Sequence, residues 1–390
     1  MKVTVGCQGR FHLFDLARQM EQLGHLGHLY TAYPRFKVGQ LPRHKVSTFP
    51  WLMAPYMAAG RLGIGSRLEM LEPVIIRSFD DWVARNIEQC DIYHCLSASG
   101  TRTHEIVRRS YGAISICDRP CAHILYQEQI LREEYERQGR YFRSIDPYVK
   151  RRELEEYEMC DLITVPSTFA YRSFIGLGVP SSKLIVNPLG ADLHTFRPIP
   201  KEDDIFRVVY TGAVSFQKGI PYLLQALCEL RLAKFEIWLI GYVRDEMKSL
   251  LGRYDGRFRY LGVIDRHQLH RFYSQGSVFV LASVHDGFGM VQAEAMACGL
   301  PVIATTNTGA PDLFTDGEEG FIVPVRNPEA IREKVLLLYE NPELQAEMSK
   351  AAIRRMAEIG GWREYGERAV RLYEQALAGR TMMSQTLSAG

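Results

Sequence analysis

The sequence predicts an α/β fold of two parallel-sheet modules, and three observations carry this prediction. Short apolar runs alternate with amphipathic stretches along nearly the whole chain, as in parallel strands joined by crossover helices. The 390 residues are enough for two or three domains. Two prolines and a charged run interrupt the pattern near residue 200, just before a new strand begins at Phe206.

The first module is assigned to residues 1–200. Its buried strands are predicted where short apolar runs occur, with helical patterns such as LFDLARQMEQLG between them. The predicted strands are KVTVG, DIYHCL, AISIC, LITVP and KLIVN.

The second module is assigned to residues 201–361 and repeats the same rhythm. Its predicted strands are FRVVYTG, FEIWLIG, FRYLG, SVFVLAS, PVIAT and GFIVP. After Asn327 the pattern is helical, and a last helix is expected over residues 362–378. Residues 379–390 lack apolar periodicity and predict a frayed tail.

The composition is that of a globular protein, with 46% hydrophobic residues, 24% charged residues and a net charge of +2. These values exclude a disordered or fibrous chain. No apolar run approaches the roughly 18 residues that span a bilayer, and the N-terminus lacks the pattern of a cleavable signal. We therefore expect a cytoplasmic protein.

The most informative stretch runs from Ser277 to Pro324 and has the order strand, glycine-bearing loop, helix, strand, loop, strand. Gly287 and Gly289 allow the backbone to approach a ligand. The helix that follows directs its free N–H groups and positive dipole end at the loop. An anion is expected there.

Two carboxylates flank this helix start. Asp286 lies in the loop and Glu294 lies inside the helix, so both can face one pocket and accept hydrogen bonds from hydroxyls. The alternative is an acid that complements the helix dipole and a solvated Glu294. The small apolar run AMACGLPV after Glu294 favours the first interpretation.

A second loop, TGAVSFQKG, places Lys218 at the start of the next helix. A lysine at a helix N-terminus is unfavourable unless an anion neutralises it. The loop is therefore interpreted as a phosphate clamp, with Ser215 and loop amides assisting. A surface lysine on a flexible stem is the alternative.

Taken together, the sequence resembles glycosyltransferase family 4, the group 1 glycosyltransferases with the GT-B fold. The resemblance is carried by GAVSFQKGIPYLLQAL, by DGFGMVQAEAMACGLPVIATTNTGAPDLFTDGEEGFIVP and by CDLITVPSTFAYRSFIGLGVPSSKLIVNPLGADLHTFRP. It implies two Rossmann-like domains facing a central cleft. It also implies retaining transfer of a sugar, of the hexosyl type, from a nucleotide-diphosphate sugar to a hydroxyl acceptor.

The resemblance also implies roles for individual residues. Lys218 would hold the diphosphate and Glu294 the ribose hydroxyls, while Asp286 and neighbouring amides would meet the donor sugar and phosphates. Gly9, in the first strand-to-helix loop, would approach the diphosphate or the acceptor. The full set of expected donor-binding residues is Gly9, Gly212, Ser215, Lys218, Asp286, Gly287, Phe288, Gly289, Met290 and Glu294.

The chain departs from the family pattern at two positions. Asp286 stands where the family often has Glu, and Ala213 stands where it often has Arg. Lys218 and the helix dipole are one source of compensation for the missing arginine, and Arg10 is another. A first-domain contact to the donor sugar is expected from Asp118 or His123, which complete the predicted catalytic set with Lys218 and Asp286. His94 is interpreted as a core histidine.

No DxD motif occurs, so we expect no metal and no other cofactor. Two alternative functions remain. One is a nucleotide-sugar epimerase of the same fold, for which Asp118 and His123 would be the only acid–base candidates. The other is a catalytically altered family member that acts as a sugar-nucleotide-binding or partner subunit, to which Ala213 and Asp286 point.

The charge distribution bears on the acceptor. Residues 22–68 contain no Asp or Glu, and residues 33–67 mix basic side chains with prolines and aromatic residues. The basic residues are Arg35, Lys37, Arg43, Lys45, Arg61 and Arg67. Such a surface fits an anionic membrane and a glycolipid or lipid-linked acceptor. The alternatives are a phosphate-bearing acceptor or solubility alone. Nucleic acid is not expected, since no recognised motif is present.

Overall fold

The structure, a computed structural model, describes residues 1–9, 11–61 and 71–388. It contains two domains, each with a parallel sheet covered by helices. The predicted α/β class with two parallel-sheet modules is therefore confirmed. The first sheet ends at Val186 and the second begins at Phe206.

The first domain holds a seven-stranded sheet in the order β3-β2-β1-β4-β5-β6-β7. Its strands are β1 (Val3–Cys7), β2 (Leu26–Thr31), β3 (Val46–Thr48), β4 (Ile92–Leu96), β5 (Ile114–Asp118), β6 (Leu162–Val165) and β7 (Leu184–Val186). The second domain holds a six-stranded sheet in the order β10-β9-β8-β11-β12-β13. Its strands are β8 (Phe206–Thr211), β9 (Phe235–Ile240), β10 (Arg259–Gly262), β11 (Val278–Leu281), β12 (Val302–Thr305) and β13 (Gly320–Val323).

Helices connect the strands and cover both sheets. In the first domain they are α1 (Leu13–Gln22), α2 (Met53–Arg61), α3 (Glu72–Asn86), α4 (Thr101–Tyr111), α5 (Ile124–Arg137), α6 (Pro147–Met159) and α7 (Thr168–Ile175). From the second domain onwards they are α8 (Ile220–Leu227), α9 (Lys248–Arg253), α10 (Leu269–Ser274), α11 (Met290–Ala297), α12 (Ala310–Leu313), α13 (Pro328–Glu340), α14 (Pro342–Ile359) and α15 (Trp362–Ser388).

The strand order places one switch point in each sheet. The chain leaves β1 toward β2 on one side and later adds β4 on the other, and β8 likewise lies between β9 and β11. These central strands are buried on both faces, because their residues are almost all apolar. Ligands of such sheets bind beyond the carboxyl ends of the strands at the switch point.

The structure differs from the sequence prediction at three elements. Strands β2 and β3 were not predicted, because β2 carries Gly27 and His28 within its run and β3 has only three residues. The last helix continues to Ser388, so the tail predicted to fray after residue 378 is helical in its described part. Residues 379–388 contain no proline and include Met, Gln and Leu, which helices tolerate well.

The last helix returns to the first domain and packs against α1. A Cβ at Gly366 would lie 2.4 Å from the Gln19 side chain, which shows how closely the two helices approach. The Tyr373 hydroxyl lies 2.6 Å from Nδ1 of His94 on β4. The chain therefore crosses between the domains twice.

Candidate active site

A cavity of about 620 Å³ lies between the two domains. Both domains contribute to its wall, at the carboxyl ends of the strands that flank the two switch points. Its lining residues are Phe11, His12, Phe14, Asp15, Arg18, Pro120, Leu189, Asp192, Thr195, Phe196, Asp265, Arg266, His267, Asp286, Phe288, Gly289 and Met290. Four of the predicted donor-binding residues are among them.

The second-domain wall is built by the loop between β11 and α11. Gly289 caps α11 with φ of +77°, a left-handed conformation that glycine adopts without strain. Lys218 follows β8 and Asp286 follows β11, and these strands are neighbours in the sheet. The Lys218 Nζ donates a hydrogen bond to Asp286. The predicted phosphate lysine, the predicted sugar carboxylate and the N-terminus of α11 therefore meet at one place.

Ser215 and Gly212 shape the loop between β8 and α8, which carries Lys218. The Ser215 hydroxyl accepts from the Lys218 amide at 3.3 Å, so it fixes the turn that carries the lysine. Gly212 follows β8 with φ of +140°, and its amide donates to Ile240 O at 2.9 Å. The Ala213 carbonyl accepts from the Tyr210 hydroxyl at 2.7 Å. These contacts shape the loop, and neither Ser215 nor Gly212 lines the cavity.

Gly287 lies where the two domains touch. A Cβ at this position would stand 2.0 Å from the carbonyl oxygen of Pro120 and 2.7 Å from Cα of Cys121, both in the first domain. The Ser167 hydroxyl donates to the Gly287 carbonyl at 2.5 Å. Only glycine allows this approach of the two backbones, so Gly287 is a contact between domains as well as a neighbour of Asp286.

Glu294 is buried, with 4% of its side chain exposed, and is paired with Arg266. The guanidinium donates twice to Oε1, from Nε at 3.0 Å and from Nη2 at 2.7 Å. Burial raises the pKa of Glu294, and the arginine opposes this shift without cancelling it. Arg266 itself lines the cavity and is half exposed, so it lies between the carboxylate and the space that a ligand would occupy.

Asp118 is buried in a polar cluster below the cavity. His12 Nε2 lies 2.9 Å from Oδ1, while His94 Nε2 and the Thr164 hydroxyl both lie 2.9 Å from Oδ2. Burial raises the pKa of Asp118, but the two histidines outweigh it and hold the pKa well below its usual range. Asp118 does not itself line the cavity; His12 stands in front of it.

His123 is not brought to the cavity. It caps α5, where its Nδ1 accepts from the Leu125 amide at 3.2 Å, and its ring packs against Tyr157 and Phe174. Burial, with a smaller contribution from Arg119, lowers its pKa to about 4. Asp118 and His123 thus do not form the acid–base pair that an epimerase would need.

Of the remaining first-domain predictions, Gly9 does not line the cavity and Arg10 lies outside the described residues. Gly9 lies in the loop between β1 and α1, and its carbonyl accepts from the Cys7 thiol at 2.8 Å. Arg10, proposed to replace the arginine absent at Ala213, lies outside the described residues.

Sequence reasoning missed four basic residues that line the cavity, namely His12, Arg18, Arg266 and His267. His12 and Arg18 flank the first turns of α1, and Arg18 donates to Asp15 one turn earlier. A signal for His12 was present, since it follows Gly9 in a loop already predicted to approach the ligand. Arg266 lies in a short 3₁₀ helix far from any motif, and only the fold places it on Glu294.

The described residues hold neither a cluster of metal ligands nor a helix fit to span a membrane. Within residues 1–9, 11–61 and 71–388, no three or more His, Cys, Asp and Glu side chains converge as metal ligands would. In the same ranges, no helix combines the length and apolar character needed to cross a membrane.

The sequence is similar to those of known glycosyltransferases. Residues 194–355, which contain Lys218, Asp286 and Glu294, match the family described as glycosyl transferases group 1. An uncharacterized glycosyltransferase of Methanocaldococcus jannaschii is 26% identical over 312 residues, which cover 75% of this chain and 77% of that protein. The group 1 match thus spans the second domain, and the relative extends the similarity into the first.

Solved structures show the GT-B fold. Sucrose-phosphate synthase from Thermosynechococcus elongatus superposes with a TM-score of 0.71 at 18% identity, covering 97% of this chain and all of that one. HepE of Anabaena, solved in complex with UDP, gives a TM-score of 0.69 at 15% identity over 96% of this chain and all of its own. The predicted GT-B architecture is therefore confirmed.

Proposed function

We propose that the protein is a retaining glycosyltransferase that moves a sugar, of the hexosyl type, from a nucleotide-diphosphate sugar to a hydroxyl acceptor. One observation carries the proposal above the others: Lys218 donates to Asp286, and Asp286 and the N-terminus of α11 line a cavity that both domains share. A cation, a helix N-terminus and a hydroxyl-binding carboxylate are the groups that a sugar diphosphate requires. The group 1 match over the same residues supports it.

Each part of the donor has a proposed partner. Lys218 and the first amides of α11, beginning at Gly289 and Met290, take the diphosphate. Asp286 and the Phe288 amide take the sugar. Glu294 accepts from the ribose hydroxyls, for which Arg266 must yield part of its contact with Oε1.

The chemical step needs stabilisation of the departing diphosphate. As the bond from the anomeric carbon breaks, its electron pair stays on the phosphate oxygen and the sugar gains positive charge. In this proposal Lys218 and the first amides of α11 stabilise this oxyanion, and one such donor contributes about 3 kcal/mol. The leaving phosphate accepts the proton of the acceptor hydroxyl in this proposal, and Lys218 takes the place of a metal ion.

The acceptor is proposed to be a sugar, glycolipid or lipid-linked molecule, in synthesis of cell-surface polysaccharide or another glycoconjugate. The protein would work in the cytoplasm, on the inner face of the membrane. Support comes from the basic segment, defined as residues 33–67, of which residues 62–67, with Arg67, lie outside the described residues. In its described part Phe36 is 79% exposed and Trp51 is 76% exposed. Lys37 stacks over the Phe36 ring, which joins charge and aromatic surface as an anionic interface requires.

A donor screen tests the proposed function. The full-length protein is incubated with UDP-, GDP- and ADP-sugars and simple or lipid-linked acceptors, and both nucleoside diphosphate release and glycosylated product are followed. Thermal shift with UDP, GDP and ADP identifies the base, because a ligand stabilises by RT ln(1 + [L]/Kd). Proton NMR of early product gives the anomeric configuration. Binding without transfer or hydrolysis of any donor would contradict the proposal and favour a sugar-nucleotide-binding subunit.

A further inference from the structure

His12 is a cavity residue whose counter-ion lies behind it. Its imidazole lines the space between the domains, while Asp118, 2.9 Å from Nε2, is buried and does not line that space. A carboxylate in this position favours the charged form of the ring. Among the described residues no partner is found for Nδ1 of His12, so this nitrogen is available to a ligand.

Two other cations at the cavity are neutralised at its surface, whereas Arg266, like His12, is paired with a carboxylate, Glu294, that does not line the cavity. Lys218 donates to Asp286, and Arg18 donates to Asp15, and both carboxylates line the cavity themselves. The Lys218 charge is therefore opposed by a carboxylate beside it, whereas the negative partner of His12 is withdrawn below the wall.

We propose that His12 is a second cation of the donor site and that its imidazolium donates a hydrogen bond from Nδ1 to the diphosphate. This inference rests on the proposed function. When the bond from the anomeric carbon to the diphosphate oxygen breaks, the electron pair stays on that oxygen and His12 keeps its proton. Its role is to stabilise the negative charge, which differs from the role of a general base.

The surroundings of His12 agree with a charged ring. Burial lowers its pKa, but the attraction of Asp118 and, more weakly, of Asp15 outweighs burial, so the pKa is raised overall. His94, on β4, shares Asp118 with it, and Tyr365, on α15, meets the ring edge-on at 6.5 Å between centroids. Because the charged form binds the donor, affinity is expected to fall as the pH rises through this raised pKa.

The test measures donor binding by calorimetry between about pH 6 and about pH 9, a range that brackets histidine titration. The donors are UDP-glucose, GDP-mannose and ADP-glucose, in which each phosphate of the diphosphate keeps one negative charge over this range. The variants are His12→Gln, His12→Arg and Asp118→Asn. His25→Gln is the matched control, since His25 lies at the other end of α1, away from the cavity. Circular dichroism confirms that each variant is folded.

We expect the wild type to lose at least about tenfold in affinity across this range, and His12→Gln to bind about tenfold more weakly at the acidic end. His12→Arg should bind with little pH dependence and keep turnover, because arginine stays charged. Asp118→Asn should move the pH midpoint downward, which a purely structural role would not do. His25→Gln should match the wild type.

Two results would overturn the inference. One is a His12→Gln variant that binds like the wild type at the acidic end. The other is an inactive His12→Arg variant together with wild-type turnover that rises with pH, which would make His12 a proton acceptor. If the wild type binds none of the three donors, the proposed function fails first, and it takes this inference with it.

Discussion

At the scale of single residues, the donor site consists of charges that are paired before a donor arrives. Lys218 is held by Asp286, and Arg266 by Glu294. Each carboxylate is also the proposed ligand of a hydroxyl group. When a donor binds, these side chains therefore exchange one partner for another. Few charged side chains have to be ordered at that moment.

Lys218→Ala should leave the fold intact and reduce turnover by about a hundredfold or more, because one oriented cation is lost from the departing diphosphate. Steady-state kinetics with the donor found in the screen measures this. Lys248→Ala is the matched control: Lys248 also pairs with an aspartate, Asp245, but is exposed and far from the cavity. Full activity of Lys218→Ala would contradict the phosphate assignment.

Arg266→Gln should weaken donor binding in a pH-dependent manner. The pKa of Glu294 is already raised by burial and is restrained by the arginine, so removing the arginine should raise it further. The ionised form that accepts from ribose then requires a higher pH, and the donor KM of the variant should improve as the pH rises.

The control for this pair is Arg259→Gln, which removes an arginine from Glu236 at the edge strand β10. Glu294→Gln should weaken donor binding at every pH, because an amide cannot replace a carboxylate that accepts twice. An unchanged donor KM in Arg266→Gln, with no pH dependence relative to the wild type, would show that the pair is only structural.

At the scale of elements, the sequence predicted what is encoded locally. The eleven predicted strands all occur, because central strands are short apolar runs buried on both faces. Lys218, Asp286 and Glu294 were found for the same reason, since each follows or enters a recognisable strand or helix. His12 and Arg266 are paired with residues far away in the chain, so only the folded structure shows that they belong to the site.

The basic segment, residues 33–67, carries its own prediction at this scale. A Phe36→Ser, Trp51→Ser double variant should lose most of its sedimentation with vesicles that contain phosphatidylglycerol, because two exposed aromatic side chains no longer enter the interface. Transfer to a water-soluble acceptor should not change. Tyr141→Ser is the control, since Tyr141 is equally exposed but lies outside the segment.

The dependence on salt and on lipid charge distinguishes electrostatic binding to an anionic membrane from non-specific hydrophobic adsorption. Wild-type binding should fall as ionic strength rises and should be weak on neutral phosphatidylcholine vesicles, because each basic residue near the surface contributes about 1 kcal/mol through the surface potential. Binding that is insensitive to salt, or equal on neutral vesicles, would exclude the anionic membrane as the partner of this segment.

At the scale of the whole molecule, several contacts hold the two domains around the cavity. Glu134 of the first domain is buried and receives the Tyr222 hydroxyl at 2.9 Å and the Arg326 Nε at 2.8 Å from the second. The Thr168 amide donates to Asp312 at 2.9 Å across the same boundary. The cavity wall therefore depends on how closely the domains approach, which a substitution at their contact can change.

Gly287→Ala tests whether this approach matters for transfer. The added Cβ would stand 2.0 Å from Pro120 O, and backbone on both sides leaves separation of the domains as the main way to relieve the overlap. Nucleotide binding should fall by no more than about tenfold, the loss expected for His12→Gln, because the other proposed donor ligands stay in place on the second domain. Transfer should fall about a hundredfold, because the donor and the first-domain residues are displaced by an ångström or more.

Gly252→Ala is the control, since a Cβ there meets no atom within 4 Å. Small-angle scattering should show a larger radius of gyration for Gly287→Ala alone, and a variant that transfers sugar at the wild-type rate would show that the donor site works without the first domain in this position.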